Sequence, residues 1–226
     1  MKIKIIFVSF IFSFGLLAQE IPEGFVYLKE IIPTLVVDLR YASPENFTGK
    51  VVRGYTSQQV VGTKALAIAL NKVQNQLKSS GLGLKVFDAY RPQRAVDAFM
   101  LWTAFPLDTL KKQEYYPKLK KDHLFELGYI AEKSGHTRGS TVDLTLIYLT
   151  GENKGKELDM GGEWDFFGPR SHITFQKINS NHLRNRQLLR NIMIKHGFNP
   201  YAKEWWHFSL INEPFPNTYF DFVIPN

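Results

Sequence analysis

The 226-residue chain is 44% hydrophobic and 14% aromatic, which excludes a disordered chain and provides for one sizeable domain. It contains no cysteine, so disulfides, thiolate metal sites and an anchor on a lipid-modified cysteine are ruled out. The formal charge of +7 is scattered, without an RNA-binding aromatic motif, a zinc finger or a recognition helix. This argues against nucleic acid and leaves a mild positive field suited to small carboxylate-bearing ligands.

Residues 1–18 differ from everything after them. Lys2 and Lys4 precede an apolar run from Ile5 to Ala18, broken only by Ser9, Ser13 and Gly15. The run falls short of the roughly 20 residues that cross a bilayer. A basic start, a short apolar centre and a small residue before a polar segment describe a secretory signal, with the cut expected after Ala18. The competing readings are a buried first strand and an uncleaved anchor. A cleaved signal implies a periplasmic or otherwise secreted protein with no stable membrane anchor, and residues 19–226 as its one domain.

Phe25–Leu28 and Thr34–Leu39 are strand candidates, and Tyr41–Gly49 is dense in turn formers. Leu66, Leu70, Val73 and Leu77 recur at helical spacing within Thr63–Ser79, with Thr63 as N-cap and Gly81 after the end. A strand over Leu84–Tyr90 follows. Pro92 then opens a second helix that places Ala95, Phe99 and Trp102 on one face. Asp108–Gly128, polar and rich in lysine, reads as a surface excursion. Thr141–Leu149 reads as a strand, Asn181–His196 as a helix stopped by Gly197, and Trp205–Ile211 as a last strand. Strands separated by two or three helices, without a β-α-β rhythm, predict an α+β domain with a small, mainly antiparallel sheet.

Three segments carry chemistry. In Ser134-Gly135-His136-Thr137-Arg138-Gly139-Ser140-Thr141-Val142-Asp143, a histidine on a glycine-flanked turn is followed seven residues later by an aspartate heading an apolar strand. The neighbours Val142, Leu144, Leu146 and Ile147 bury Asp143, and a buried carboxylate needs a cation or several donors. A divalent metal supplies the first; backbone donors at a strand end supply the second. In Glu204-Trp205-Trp206-His207, a glutamate and a histidine lie three apart. Zinc hydrolases need nitrogen or carboxylate ligands, an open position for water, and a carboxylate that takes the water's proton. Taken alone, His207 reads equally as a core histidine in an aromatic cluster. In Phe87-Asp88-Ala89-Tyr90-Arg91-Pro92, Arg91 stands where a strand turns into a helix. There it either faces an oxyanion or pairs with Asp88 or Asp97 on the surface.

The order Ala89-Tyr90-Arg91-Pro92, then Ser134-Gly135-His136 with Asp143, then Glu204-Trp205-Trp206-His207 resembles the zinc D-Ala-D-Ala dipeptidases. That family sits in a wider group with zinc D,D-carboxypeptidases and the Hedgehog signalling domain. The resemblance runs from about Tyr41 to Asp221 and includes Asn46-Phe47-Thr48-Gly49, Asp165-Phe166 and Pro216–Phe222. It implies one zinc ion on His136, Asp143 and His207, in a site carried by the sheet, with Glu204 as general base and then acid. It implies Arg91 at the tetrahedral intermediate, and Tyr41, Ser134 and Asp165 around the ends of a D-Ala-D-Ala dipeptide, with Asp165 on the ammonium. Gly161-Gly162-Glu163-Trp164 departs from the family's usual run before Asp165. A zinc D,D-carboxypeptidase or endopeptidase acting on peptidoglycan stem peptides would use the same metal set. An inactive zinc-binding module would have lost the base, and Glu204 is present. His123, His172, His182 and His196 receive no role.

Overall fold

The computed structural model describes residues 21–225, so the expected signal lies outside the described residues. Two sheets organise the chain. β1 (Phe25–Tyr27) pairs antiparallel with β3 (Val61–Thr63) in a two-stranded sheet. The main sheet has five strands in the order β2 (Val36–Val37), β4 (Leu82–Asp88), β5 (Thr141–Tyr148), β7 (His207–Leu210) and β6 (Phe198–Pro200). Only the β2–β4 pair is parallel. The expected α+β architecture with a mainly antiparallel sheet is what the chain forms.

A four-residue helix, α1 (Leu28–Ile31), follows β1 directly. The strongest helical pattern becomes α2 (Lys64–Lys78). Thr63 caps it, its Oγ1 accepting from the Leu66 N–H at 3.2 Å, and Leu66, Leu70, Val73 and Leu77 form its buried face. One polar side chain on that face is also buried. Gln74 accepts from the Leu84 N–H at 2.8 Å and donates to the Thr34 hydroxyl at 2.9 Å, so it fixes how α2 lies along β4.

α3 (Gln93–Thr103) starts after Pro92 and buries Ala95, Phe99 and Trp102, as its spacing predicts. α5 (Ser180–Lys195) ends before Gly197, which takes a φ of +88°. β1 and β2 are shorter than their apolar runs, because the chain leaves the extended state at α1 and at a 3-10 turn over Arg40–Ala42.

The stretch Asp108–Gly128 is mostly exposed, as expected, but is anchored to the core at several points. It holds α4 (Lys112–Tyr115), and Tyr115, Tyr116 and Leu124 are buried. Lys121, also buried, donates to the Phe105 carbonyl at 2.6 Å and the Asp108 carbonyl at 2.9 Å, with its ammonium 3.9 Å from the Trp102 ring centre. An ammonium supported by carbonyls and an aromatic face does not need the surface.

The C-terminal segment packs on Phe25 and Tyr90. Phe222 stacks on Tyr90 at 4.0 Å, and Phe220 and Phe222 meet Phe25 edge-on. Asp221 clamps Arg94 at 2.8 Å. These contacts hold the turn that displays Arg91.

Candidate active site

Sheet register builds the centre. Asp143 on β5 stands opposite His207 on β7 and opposite Asp88 on β4. A bulge between Val86 and Asp88 aims the last of these, as bulges beside sites commonly do. His136 comes from a 3-10 turn over Gly135–Arg138 that is capped by Ser134, whose Oγ accepts from the His136 N–H at 3.2 Å. The turn ends at Gly139, with φ +79°, where a Cβ would overlap the Phe25 ring.

His136 Nδ1 lies 2.8 Å from the Ala89 carbonyl. A carbonyl only accepts, so the proton sits on Nδ1 and the Nε2 lone pair faces the site. Nε2 is 3.3 Å from Asp143 Oδ1 and 3.3 Å from His207 Nδ1, and those two atoms are 3.0 Å apart. These are the three groups among the described residues that converge as a set of metal donors. Ligands of a tetrahedral zinc with bonds of about 2.0–2.1 Å are about 3.3 Å apart, so the triangle fits the ion. Asp143 Oδ1 is buried and has no hydrogen-bond partner among the described residues, which leaves its lone pairs free for a cation.

Glu204 precedes β7, its carboxylate 3.4 Å from His207 Nδ1. Burial, with the Asp143 charge beside it, pushes its carboxyl up to about 8. Arg91 is largely buried, not a surface residue. Its guanidinium lies 2.8 Å from Asp88 Oδ2 and 3.6 Å from Asp143 Oδ2, over the Tyr41 and Phe99 rings. On the far side, the Tyr41 phenol donates to Asp165 Oδ2 at 2.7 Å. Burial raises the Asp165 carboxyl well above its ordinary value, although the Tyr41 hydrogen bond works the other way. Asp165 has a φ of +61°, unusual for a residue with a side chain.

All eight side chains singled out in the sequence, Tyr41, Arg91, Ser134, His136, Asp143, Asp165, Glu204 and His207, line one cavity of about 260 Å³. That is below the roughly 300–1,000 Å³ of sites for drug-sized ligands. Phe47, Phe99 and Phe167 supply its apolar wall. The altered run before Asp165 places Trp164 in the core, stacked on Phe87 and against Tyr41.

A family model described as D-ala-D-ala dipeptidase matches residues 22–225. The chain belongs to the D-Ala-D-Ala dipeptidase family. Among relatives, the D-alanyl-D-alanine dipeptidase of Enterococcus faecalis is 45% identical over 202 residues, covering 89% of this chain and 98% of that one. The enzyme of the same description from Streptomyces coelicolor is 45% identical over 200 residues, covering 88% and 98%. That of Escherichia coli is 36% identical over 185 residues, covering 82% and 83%. The family named from the sequence motifs is the one found.

In this member of the D-Ala-D-Ala dipeptidase family, the sequence reading named Asp88 only as a surface partner of Arg91 and passed over Tyr55. Asp88 is fully buried and accepts from Arg91, from the Tyr55 phenol at 2.7 Å and from the Ala89 N–H at 3.0 Å. Its Oδ2 is 3.6 Å from His136 Nδ1. The signal was present: like Asp143, Asp88 ends an apolar strand, and the same argument from burial applies to it.

Proposed function

We propose that the protein hydrolyses D-alanyl-D-alanine to two D-alanines with one zinc ion held by His136, Asp143 and His207. The observation carrying this reading is a buried Tyr41–Asp165 pair in the same small cavity as the three converging donor atoms. A relative called D-alanyl-D-alanine dipeptidase, aligned over 98% of its length, supports the same substrate.

A zinc ion at those three atoms supplies Lewis-acid charge for the scissile carbonyl and acidifies water. Asp165 receives the substrate ammonium, which compensates a carboxylate that burial otherwise disfavours. Glu204 takes the proton of the attacking water on its carboxylate and returns it to the leaving amine. Arg91, held by Asp88, places fixed positive charge where the carbonyl oxygen becomes negative. Ser134 lies on the wall toward the other end of the dipeptide.

The protein works after export, in the periplasm or outside the cell, in turnover or salvage of peptidoglycan precursor. Lys2, Lys4 and the apolar run to Ala18 support export. Among the described residues no helix is long and apolar enough to cross a membrane. Mass spectrometry of products from free D-Ala-D-Ala and from a pentapeptide ending in D-Ala-D-Ala tests the substrate. Cleavage of the free dipeptide alone is expected; equal cleavage of both would make the protein a peptidoglycan D,D-carboxypeptidase.

A further inference from the structure

We infer that Arg186 is a positioning residue that sets the Asp165 loop, and through it the requirement for a free amino end; this rests on the dipeptidase reading above. Arg186 lies on α5 with 7% of its surface exposed. Its Nε donates to the Met160 carbonyl at 2.6 Å, its Nη2 to the Arg170 carbonyl at 2.9 Å and its Nη1 to the His172 carbonyl at 3.3 Å. One planar fork thus ties together both ends of residues 160–172, the loop whose middle carries Asp165 and Phe167 into the cavity.

Two features make this more than ordinary packing. No ion-pair partner of Arg186 is found among the described residues; burial, aided by the nearby Arg170 charge, pushes its guanidinium down to about 10. A buried cation neutralised only by carbonyl dipoles is costly to keep. Asp165 itself sits in left-handed backbone, a conformation that persists only where the surroundings fix it.

The loop is also pressed onto the guanidinium: a Cβ on Gly162 would lie 3.2 Å from Nη2. The same guanidinium lies 5.7 Å from the Trp205 ring centre, and the Trp205 backbone N–H donates to the Ser171 carbonyl at 2.9 Å. Arg186 therefore references the Asp165 loop to the segment that carries Glu204 and His207.

The test compares wild type, Arg186→Lys and Arg186→Gln as zinc-loaded full chains, with Arg186→Lys serving if Arg186→Gln does not fold. Without the fork, KM for D-Ala-D-Ala should rise about tenfold with kcat changed about threefold or less, and the preference for free over N-acetylated dipeptide should shrink. In an Asp165→Asn background the same substitution should change KM less than about twofold, because the effect passes through Asp165. Unchanged KM and preference, or an equal KM rise in that background, would overturn the inference. Amide exchange gives an arm independent of turnover. Selective acceleration over residues 160–172 in Arg186→Lys supports the loop assignment even if the wild type proves inactive on the dipeptide, and uniform acceleration across the chain would refute it.

Discussion

Tyr41 and Asp165, 124 residues apart in sequence, share a buried 2.7 Å hydrogen bond in which the phenol donates to the carboxylate. The bond engages one carboxylate oxygen and leaves the other to a cationic ligand. Blocking the substrate amine would strand Asp165, so N-acetyl-D-Ala-D-Ala should be cut at least about tenfold less efficiently than the free dipeptide. Asp165→Asn should erase most of that difference. Comparable rates on both substrates in the wild type would count against the assignment.

The donor triangle leads to a prediction about metal. Purified protein should carry about one zinc per chain, and His136→Ala should lose it, as read by elemental analysis. Chelation should lower Tm by several degrees or more, because an ion bound only by the folded chain stabilises it by mass action. Unchanged zinc affinity in His136→Ala would mean that other residues hold the ion.

Glu204 stands beside the triangle, and substitution should separate proton transfer from ligation. Glu204→Gln should retain zinc while turnover falls about 10²–10⁴-fold. Loss of the ion together with activity would make Glu204 a ligand.

A pH effect on stability is expected away from the site. Asp38 Oδ2 lies 2.7 Å from Lys85 Nζ and 3.2 Å from Arg40 Nε. Partial burial opposes its charge, but the two cations outweigh it and lower its pKa on folding. The stabilisation is therefore complete above the unfolded value of about 3.9 and lost as pH falls through the lower folded value. Thermal melts of wild type and Asp38→Asn should converge across that acidic window. A constant gap at all pH values would contradict it.

Export has its own check. N-terminal sequencing of protein from its native cell should begin near Gln19, and intact Met1 on soluble cytoplasmic protein would refute the signal.

Much of this fold was legible because its strongest periodicities are local. The α2 stripe from Leu66 to Leu77, with its Thr63 cap, needs nothing beyond its own turns. The strands β3 and β6, each three residues long, were invisible because pairing partners define them, not their own pattern. The site residues were legible as motifs, yet their convergence was not. Asp143 and His207 meet through strand register across 64 positions, and Tyr41 reaches Asp165 only through the folded core. Asp88 was treated as an incidental partner of Arg91, although it accepts hydrogen bonds from three residues in the interior.

The order in which the donors occur along the chain has a consequence for biogenesis. Asp143 lies near the start of β5 and His136 in the turn before it, but His207 arrives only with β7, near the C-terminus. A chain made from its amino end cannot complete its donor set until nearly all of it has been synthesised. Loading with zinc is therefore a late event in the making of the fold.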